Sequence, residues 1–162
     1  MNINKNKIKQ NNQRGFTLIE ILVVIGIIGI LATVVLVAVN PSRQFKQARD
    51  SQRVANVNTI LNALGQNIAD HQGMVFCEGI VRNLPQGVYY GIASSVTIDG
   101  INLADCLVPD YLPKLPYEPG NTSAYYTNED DYLTGYSLFV DAGGRITISA
   151  VGEIQTDISV TR

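Results

Sequence analysis

The chain is nearly neutral overall, but its charges are unevenly distributed. It has 162 residues with 12 Lys and Arg against 14 Asp and Glu, and the first 14 residues hold four of the bases and none of the acids. The remainder therefore carries a formal charge of −6, which disfavours a general nucleic-acid binder because such binding depends on neutralising phosphates. Besides the apolar run at residues 21–39, the length leaves room for a single modest soluble domain.

The first element along the chain is an apolar run that follows a basic segment. Residues 1–14 are polar and rich in Asn, Lys and Gln, which is typical of an unstructured leader. Residues 21–39 contain no charge, and as a helix they span about 28 Å. This length matches the hydrocarbon core of a bilayer, where only a helix satisfies the backbone of one isolated segment. The run predicts one membrane-spanning helix.

A single carboxyl group lies at the start of this run. Glu20 is the only charged residue between Gly15 and Arg43. An ionisable group inside a membrane helix costs free energy, and the cost is lower near the helix end. Either the carboxylate reaches the lipid headgroups, or a positive partner lies at the same depth.

Residues 15–32 resemble the processing site and N-terminal helix of type IV pilins and their pseudopilin relatives. The resemblance rests on Gly15, the aromatic Phe16 and then Glu20 within a long apolar run. In that family a prepilin peptidase cleaves after the glycine on the cytoplasmic side, and the new terminus, here Phe16, is often N-methylated. The resemblance implies that the amine of Phe16 pairs with Glu20 of a neighbouring subunit during filament assembly.

The apolar run differs from an ordinary secretory signal. Such a signal has an apolar region of about 7–15 residues and is cleaved at small residues after it. Here the run is longer and no such site follows it, so the helix is expected to remain in the mature protein. Basic residues lie on both sides of the apolar run, so charge bias alone does not determine which end of the helix faces the cytoplasm. The resemblance implies a cytoplasmic N-terminus.

A proline follows the apolar run, and an amphipathic pattern follows the proline. Pro41 either kinks the helix or starts a second one; many type IV pilins carry a proline about one turn earlier, where this chain has Val37. Over residues 42–71 apolar side chains recur at helical spacing, which predicts a helix packed on a sheet: Val54, Val57, Leu61, Leu64 and Ile68.

The charged residues of this second helix are assigned to its other surfaces: Lys46, Arg49, Asp50 and Arg53. The favoured interpretation is a solvated basic edge. The alternative is that these bases contact lipid headgroups or acidic surfaces of neighbouring subunits.

Two cysteines, Cys77 and Cys106, lie beyond the membrane segment. In an oxidising compartment the pair predicts one disulfide that closes a loop of about 30 residues and contributes roughly 3–4 kcal/mol in the chain-entropy model. Two buried free thiols are the alternative. Two cysteines alone are too few for a zinc site.

The rest of the chain divides into loops and a sheet. Residues 88–92 and 95–98 favour strands with a turn at Asp99-Gly100. Residues 107–119 hold four prolines and favour an extended connector, which resembles the proline-rich stretch before the sheet of many pseudopilins. Strands are predicted over 125–127, 136–140 and 145–149, and the eight tyrosines, all between 89 and 136, are explained by packing in the sheet.

Little in the sequence points to catalysis or to a cofactor, and the chain is predicted not to be an enzyme. His71 is the only histidine, so a usual Ser-His-Asp or HExxH arrangement has little to work with. The acidic residues Glu129, Asp130 and Asp131 are weak calcium candidates, near the place where some major pseudopilins bind calcium; their spacing fits no EF-hand, and a solvated turn is favoured. Asn121 begins a glycosylation sequon.

Together these features predict an α+β fold. A long N-terminal helix has its first half in the membrane, and its second half packs on a small antiparallel sheet. The predicted segments are a leader (1–15), a transmembrane and assembly helix (16–40) and a soluble head (41–162); the head comprises the amphipathic helix (42–71), a variable loop region (72–120) and the antiparallel sheet (121–162).

The predicted function is structural: a subunit of a type IV pilus or related filament, first in the cytoplasmic membrane and then in a cell-surface or periplasmic filament. The resemblance implies as partners copies of the chain and other pilins, a prepilin peptidase, an inner-membrane platform protein and a cytoplasmic assembly ATPase. The alternatives are a pseudopilin of a type II secretion system, a minor pilin at a filament tip and, from a different class, a membrane-tethered binding domain or enzyme.

Overall fold

A computed structural model describes residues 15–38, 40–94 and 100–162. The predicted leader up to Arg14, the predicted strand over 95–98 and the turn residue Asp99 lie outside the described residues. The chain divides between Pro41 and Ser42 into two compact units, and each is described by itself.

The first unit contains helix α1, Leu18–Ala38. Glu20 is its only charged residue, and none of its 21 residues is buried. A helix that is apolar on every side belongs in a membrane or inside a larger apolar assembly. Among the described residues, α1 is the one helix whose length and composition allow it to cross a membrane.

Helix α2, Pro41–Asp70, begins with the proline, where the missing N–H removes no intrahelical hydrogen bond. Of the two alternatives at Pro41, the start of a second helix is the one observed. The apolar stripe is buried at Val57, Leu61 and Leu64, whereas Val54 is 38% exposed and lies at its margin.

The assignment of Asp50 and Arg53 to solvated surfaces is wrong. The two residues are only 4% and 3% exposed, on the same stretch of α2 that turns its apolar side chains into the core. Asp50 and Arg53 contact each other, and their further partners come from distant parts of the chain, which explains how a charged pair is accommodated there.

The head contains a six-stranded sheet, and the predicted α+β fold is confirmed. The order is β4-β3-β6-β7-β8, and β5 pairs with β6. All neighbouring pairs are antiparallel except β3 and β4, which are parallel. The strands are β3 Tyr89–Ala93, β4 Gly100–Ile101, β5 Tyr125–Asn128, β6 Asp131–Val140, β7 Ile146–Ala150 and β8 Ile158–Thr161.

Three small elements lie in the region predicted as loops. Strands β1, Val75–Cys77, and β2, Ile80–Arg82, form a separate antiparallel hairpin, and α3, Ala104–Leu107, is a single helical turn. Residues 108–124 contain no helix or strand, in agreement with the connector predicted from the prolines.

The core lies between α2 and one face of the sheet. Alternate residues of β6 are buried from Tyr132 to Val140, as expected for a strand with one face in the core. Tyr132 is fully buried, and its hydroxyl accepts hydrogen bonds from the Leu103 and Ala104 N–H groups at 2.9 and 3.2 Å. Burial raises the pKa of Tyr132 to about 12. The phenol therefore stays neutral and anchors the start of α3 to the sheet.

Candidate functional site

The predicted processing site lies in an exposed segment just before α1. Gly15, Phe16 and Thr17 precede the first helical residue, and Phe16 is 85% exposed. The peptide bond between Gly15 and Phe16 is therefore outside regular structure. Cleavage at this bond and methylation of Phe16 stay predictions.

Thr17 and Glu20 form a capping box at the start of α1. The Glu20 carboxylate accepts hydrogen bonds from the Thr17 N–H and hydroxyl, both at 3.0 Å. Thr17 Oγ1 in turn accepts a hydrogen bond from the Glu20 N–H at 3.2 Å. The pair satisfies two backbone N–H groups that a helix start leaves without an intrahelical acceptor. Glu20 thus has a local role besides the predicted pairing with a neighbouring Phe16 amine, which stays a prediction.

The remainder of α1 is suited to an apolar environment. Its 21 residues span about 31 Å, close to the hydrocarbon thickness of a bilayer. The hydroxyl of Thr33 donates to the Gly29 carbonyl at 2.9 Å, so this polar group is satisfied within the helix. The rest of the surface of α1 is apolar, so it can contact lipid or other apolar helices.

An ionic cluster lies around Arg53 of α2, with a buried centre of Asp50, Arg53 and Glu118 and a partly exposed margin of Arg49 and Glu153. Its guanidinium Nε donates to both oxygens of Glu118 at 2.7 and 2.9 Å, and its other nitrogens contact Asp50 and Glu153. Hydrogen bonds to Glu118 raise the pKa of Arg53. Arg49 adds a bidentate contact to Glu153. Hydrogen bonds from Arg49, and then from Arg53, lower the pKa of Glu153 to about 2. The five residues define the Arg53 cluster: Arg49, Asp50, Arg53, Glu118 and Glu153.

The Arg53 cluster fastens two loops to α2. Asp50 accepts hydrogen bonds from three consecutive N–H groups at the β7–β8 loop, at 2.8, 2.8 and 3.1 Å: Glu153, Ile154 and Gln155. These bonds hold the pKa of Asp50 well below its usual range, and the bond from the Glu153 N–H has the largest effect.

The second loop is the connector that carries Glu118. Gly135 of β6 has a φ of +78°, and a Cβ at this position would lie 2.9 Å from the Glu118 Cβ. Glycine therefore lets the connector approach the sheet closely. As a result, Glu118 reaches Arg53 from beside β6.

The predicted disulfide is confirmed, since Cys77 and Cys106 are bonded. The cysteines are buried, at 1% and 5% exposure, and join β1 to α3. The alternative of two free thiols is therefore not the state observed.

The calcium candidates form an exposed turn between β5 and β6. The Asp131 carboxylate accepts a hydrogen bond from the Tyr125 hydroxyl at 2.8 Å, and the Asp130 N–H donates to the Asn128 side chain at 2.9 Å. Across residues 15–38, 40–94 and 100–162, no three His, Cys, Asp or Glu side chains are grouped so that they could hold a metal ion. Calcium at Glu129, Asp130 and Asp131 stays a prediction.

Several polar side chains have structural roles that were not predicted from the sequence. The spacing of Thr17 and Glu20 before an apolar run is a capping-box signal. Asn67 follows Leu64 by three residues and so falls within the apolar stripe of α2, which marks it as a buried polar residue. Arg53 precedes Val57 by four residues and pairs with Asp50 nearby, but its other partners, Glu118 and Glu153, lie 65 and 100 residues away. No local pattern identifies these distant partners.

Comparison with protein families identifies the prokaryotic N-terminal methylation motif at residues 10–36. The match includes Gly15, Phe16 and Glu20 and most of α1. No curated protein and no solved structure was found to match the chain. The chain therefore carries the signature of type IV pilins and pseudopilins, as its resemblance to them at residues 15–32 indicated.

Proposed function

We propose, from the methylation motif at residues 10–36, that this chain is a structural subunit of a type IV pilus or pilus-like filament. The observation that carries the proposal is the continuity of this motif with α1, a helix that buries none of its residues within its own chain. A subunit that polymerises through apolar helices needs such a helix, because neighbouring copies replace the lipid around it.

Cleavage between Gly15 and Phe16 changes the charge at the start of α1. Hydrolysis removes the four bases of the leader and converts the neutral Phe16 amide nitrogen into a cationic amine. This amine supplies the positive partner that Glu20 needs at the apolar end of the helix. Loss of the basic leader also removes charges that hold the N-terminus at the cytoplasmic face.

The assembled subunit would be held by copies of itself and by other pilins. A prepilin peptidase would process it, and an inner-membrane platform protein and a cytoplasmic ATPase would drive its assembly. The chain would begin as a single-pass protein of the cytoplasmic membrane and end in a cell-surface or periplasmic filament, with the disulfide-bonded head outside. A pseudopilin of a type II secretion system shares the motif and the apolar helix and is the nearest alternative.

The first test is the mass of the chain extracted from membranes that contain or lack an active prepilin peptidase. We expect a chain that begins at Phe16 only when the peptidase is present, with an added methyl group where methylation occurs. The matched control is Gly15→Val, which should retain residues 1–15 under both conditions. A wild-type chain that keeps residues 1–15 beside an active peptidase would contradict the proposal and favour a membrane-tethered domain.

A further inference from the structure

Asn67 is a fully satisfied polar side chain on the buried face of α2. It is 1% exposed. Its amide nitrogen donates to the carbonyl oxygens of Phe76 and Cys106 at 2.7 and 2.8 Å, and its oxygen accepts a hydrogen bond from the Phe76 N–H at 2.8 Å. Both donor hydrogens of the amide are therefore used.

These three hydrogen bonds reach both segments that carry the cysteines. Phe76 precedes Cys77 in β1, and Cys106 lies in α3. One side chain thus connects β1 and α3 to α2, next to the backbone of both cysteines. None of the bonds involves a sulfur atom, so they do not require the disulfide to be present.

A second contact holds β1 against the end of α2. The ring of His71 stacks on Phe76 with 4.4 Å between ring centroids. The His71 Nδ1 atom also lies 2.7 Å from the Asn67 carbonyl oxygen. Phe76 is therefore fixed by its backbone to Asn67 and by its ring to the next turn of the chain.

We propose that Asn67 is a positioning residue for the Cys77–Cys106 disulfide. In the reduced chain it holds β1 and α3 together, so that the two thiols already face each other when an oxidant arrives. The inference concerns the folding of the head and does not depend on the proposed filament.

The chemistry that depends on this positioning is thiol–disulfide exchange with a small disulfide such as oxidised glutathione. A thiolate of one cysteine attacks the glutathione disulfide, forms a mixed disulfide and releases one glutathione. The second cysteine then attacks the mixed disulfide, which forms the Cys77–Cys106 bond and releases the second glutathione. The two cysteines are oxidised and one glutathione disulfide is reduced. The second step is intramolecular, so it is favoured when the two thiols are held close.

The test measures the equilibrium between the full-length chain in detergent and glutathione buffers of defined ratio, with alkylation and mass spectrometry to count free thiols. Asn67→Leu keeps a side chain of similar size and removes all three hydrogen bonds. We expect the effective concentration of the two thiols to fall about tenfold or more.

A matched control separates positioning from general destabilisation. Thr134 is fully buried, and its hydroxyl bonds the Ile92 carbonyl at 2.7 Å within the sheet, apart from the cysteine segments. Thr134→Val should lower the denaturant midpoint of the reduced chain but leave the effective concentration of the thiols unchanged. An unchanged value in Asn67→Leu, or an equal fall in both variants, overturns the proposal.

A measurement on the reduced wild-type chain covers the case in which Asn67→Leu fails to fold. Its readout is hydrogen exchange at the Phe76 amide, whose N–H donates to Asn67. With the disulfide reduced, we expect this amide to remain protected. Exchange at the rate of an unfolded chain would show that Asn67 does not hold β1 before oxidation, and the proposal would be wrong.

Discussion

Glu20 caps α1 through Thr17 in the described chain, and the proposed filament would give its charge a second role, which a substitution by glutamine separates from the first. A glutamine at this position keeps an oxygen that accepts hydrogen bonds from Thr17 and is itself common in capping boxes. Removal of the whole side chain eliminates the cap and the charge together.

We therefore predict that Glu20→Gln and Glu20→Ala both abolish filament assembly while insertion into the membrane and cleavage continue. The reason is that each variant lacks the charge that the Phe16 amine would meet. Assembly is measured by the amount of the chain in sheared or cross-linked filaments, and cleavage by mass. Wild-type assembly of Glu20→Gln, with Glu20→Ala defective, would show that only the cap matters.

At the scale of elements, the Arg53 cluster joins α2 to the β7–β8 loop and to the proline-rich connector. Hydrogen bonds from the backbone N–H groups of the β7–β8 loop lower the pKa of Asp50. Glu153 has a pKa lowered to about 2 from an ordinary value of 4.5, chiefly through Arg49. A depressed folded-state pKa stabilises the head above the unfolded pKa, and this contribution is lost as the pH falls toward the folded value.

We predict that the unfolding midpoint of the head decreases as the pH is lowered from about 4.5 to about 2, the interval in which Glu153 becomes protonated. The variant Glu153→Gln should be less stable than the wild type at neutral pH and show a shallower decrease over the same interval. Denaturant unfolding followed by circular dichroism at several pH values measures both. Identical pH profiles for the two chains would exclude Glu153 as a source of this dependence.

At the scale of the whole molecule, the chain consists of two units with different requirements. The head buries its own core, whereas α1 buries none of its residues. This difference follows from composition, since α2 has one apolar stripe and a polar remainder, while α1 is apolar on every side. The head is therefore suited to an aqueous environment, whereas the apolar side chains of α1 have to be covered by lipid or by other helices.

We predict that residues 42–162 fold as a soluble monomer with the Cys77–Cys106 disulfide and an unfolding midpoint within a few degrees of the full chain. Removal of α1 deletes no buried residue. Leu64→Ala, at a fully buried position, is the control and should destabilise both forms by about 2–5 kcal/mol. Aggregation of residues 42–162, or failure to form the disulfide, would contradict the independence of the head.

Features encoded by residues near one another in the chain could be predicted from the sequence. The apolar run predicts α1, the helical spacing from Val57 to Leu64 predicts the buried stripe of α2, and alternation predicts the β6–β7 hairpin. The methylation motif is equally local, because it lies within residues 10–36. The disulfide could also be predicted, because the chain has two cysteines and both lie beyond the membrane segment.

Contacts between distant parts of the chain, in contrast, determine which polar residues are buried and which strands pair at long range. Arg53 is buried because Glu118 and Glu153 reach it from 65 and 100 residues away, and β4 joins the sheet beside β3 in the parallel direction. The burial of Asn67 likewise depends on Phe76 and Cys106 arriving from two separate elements. A charge or an amide is stable inside a protein only when its partners are present, and the sequence around it does not specify them.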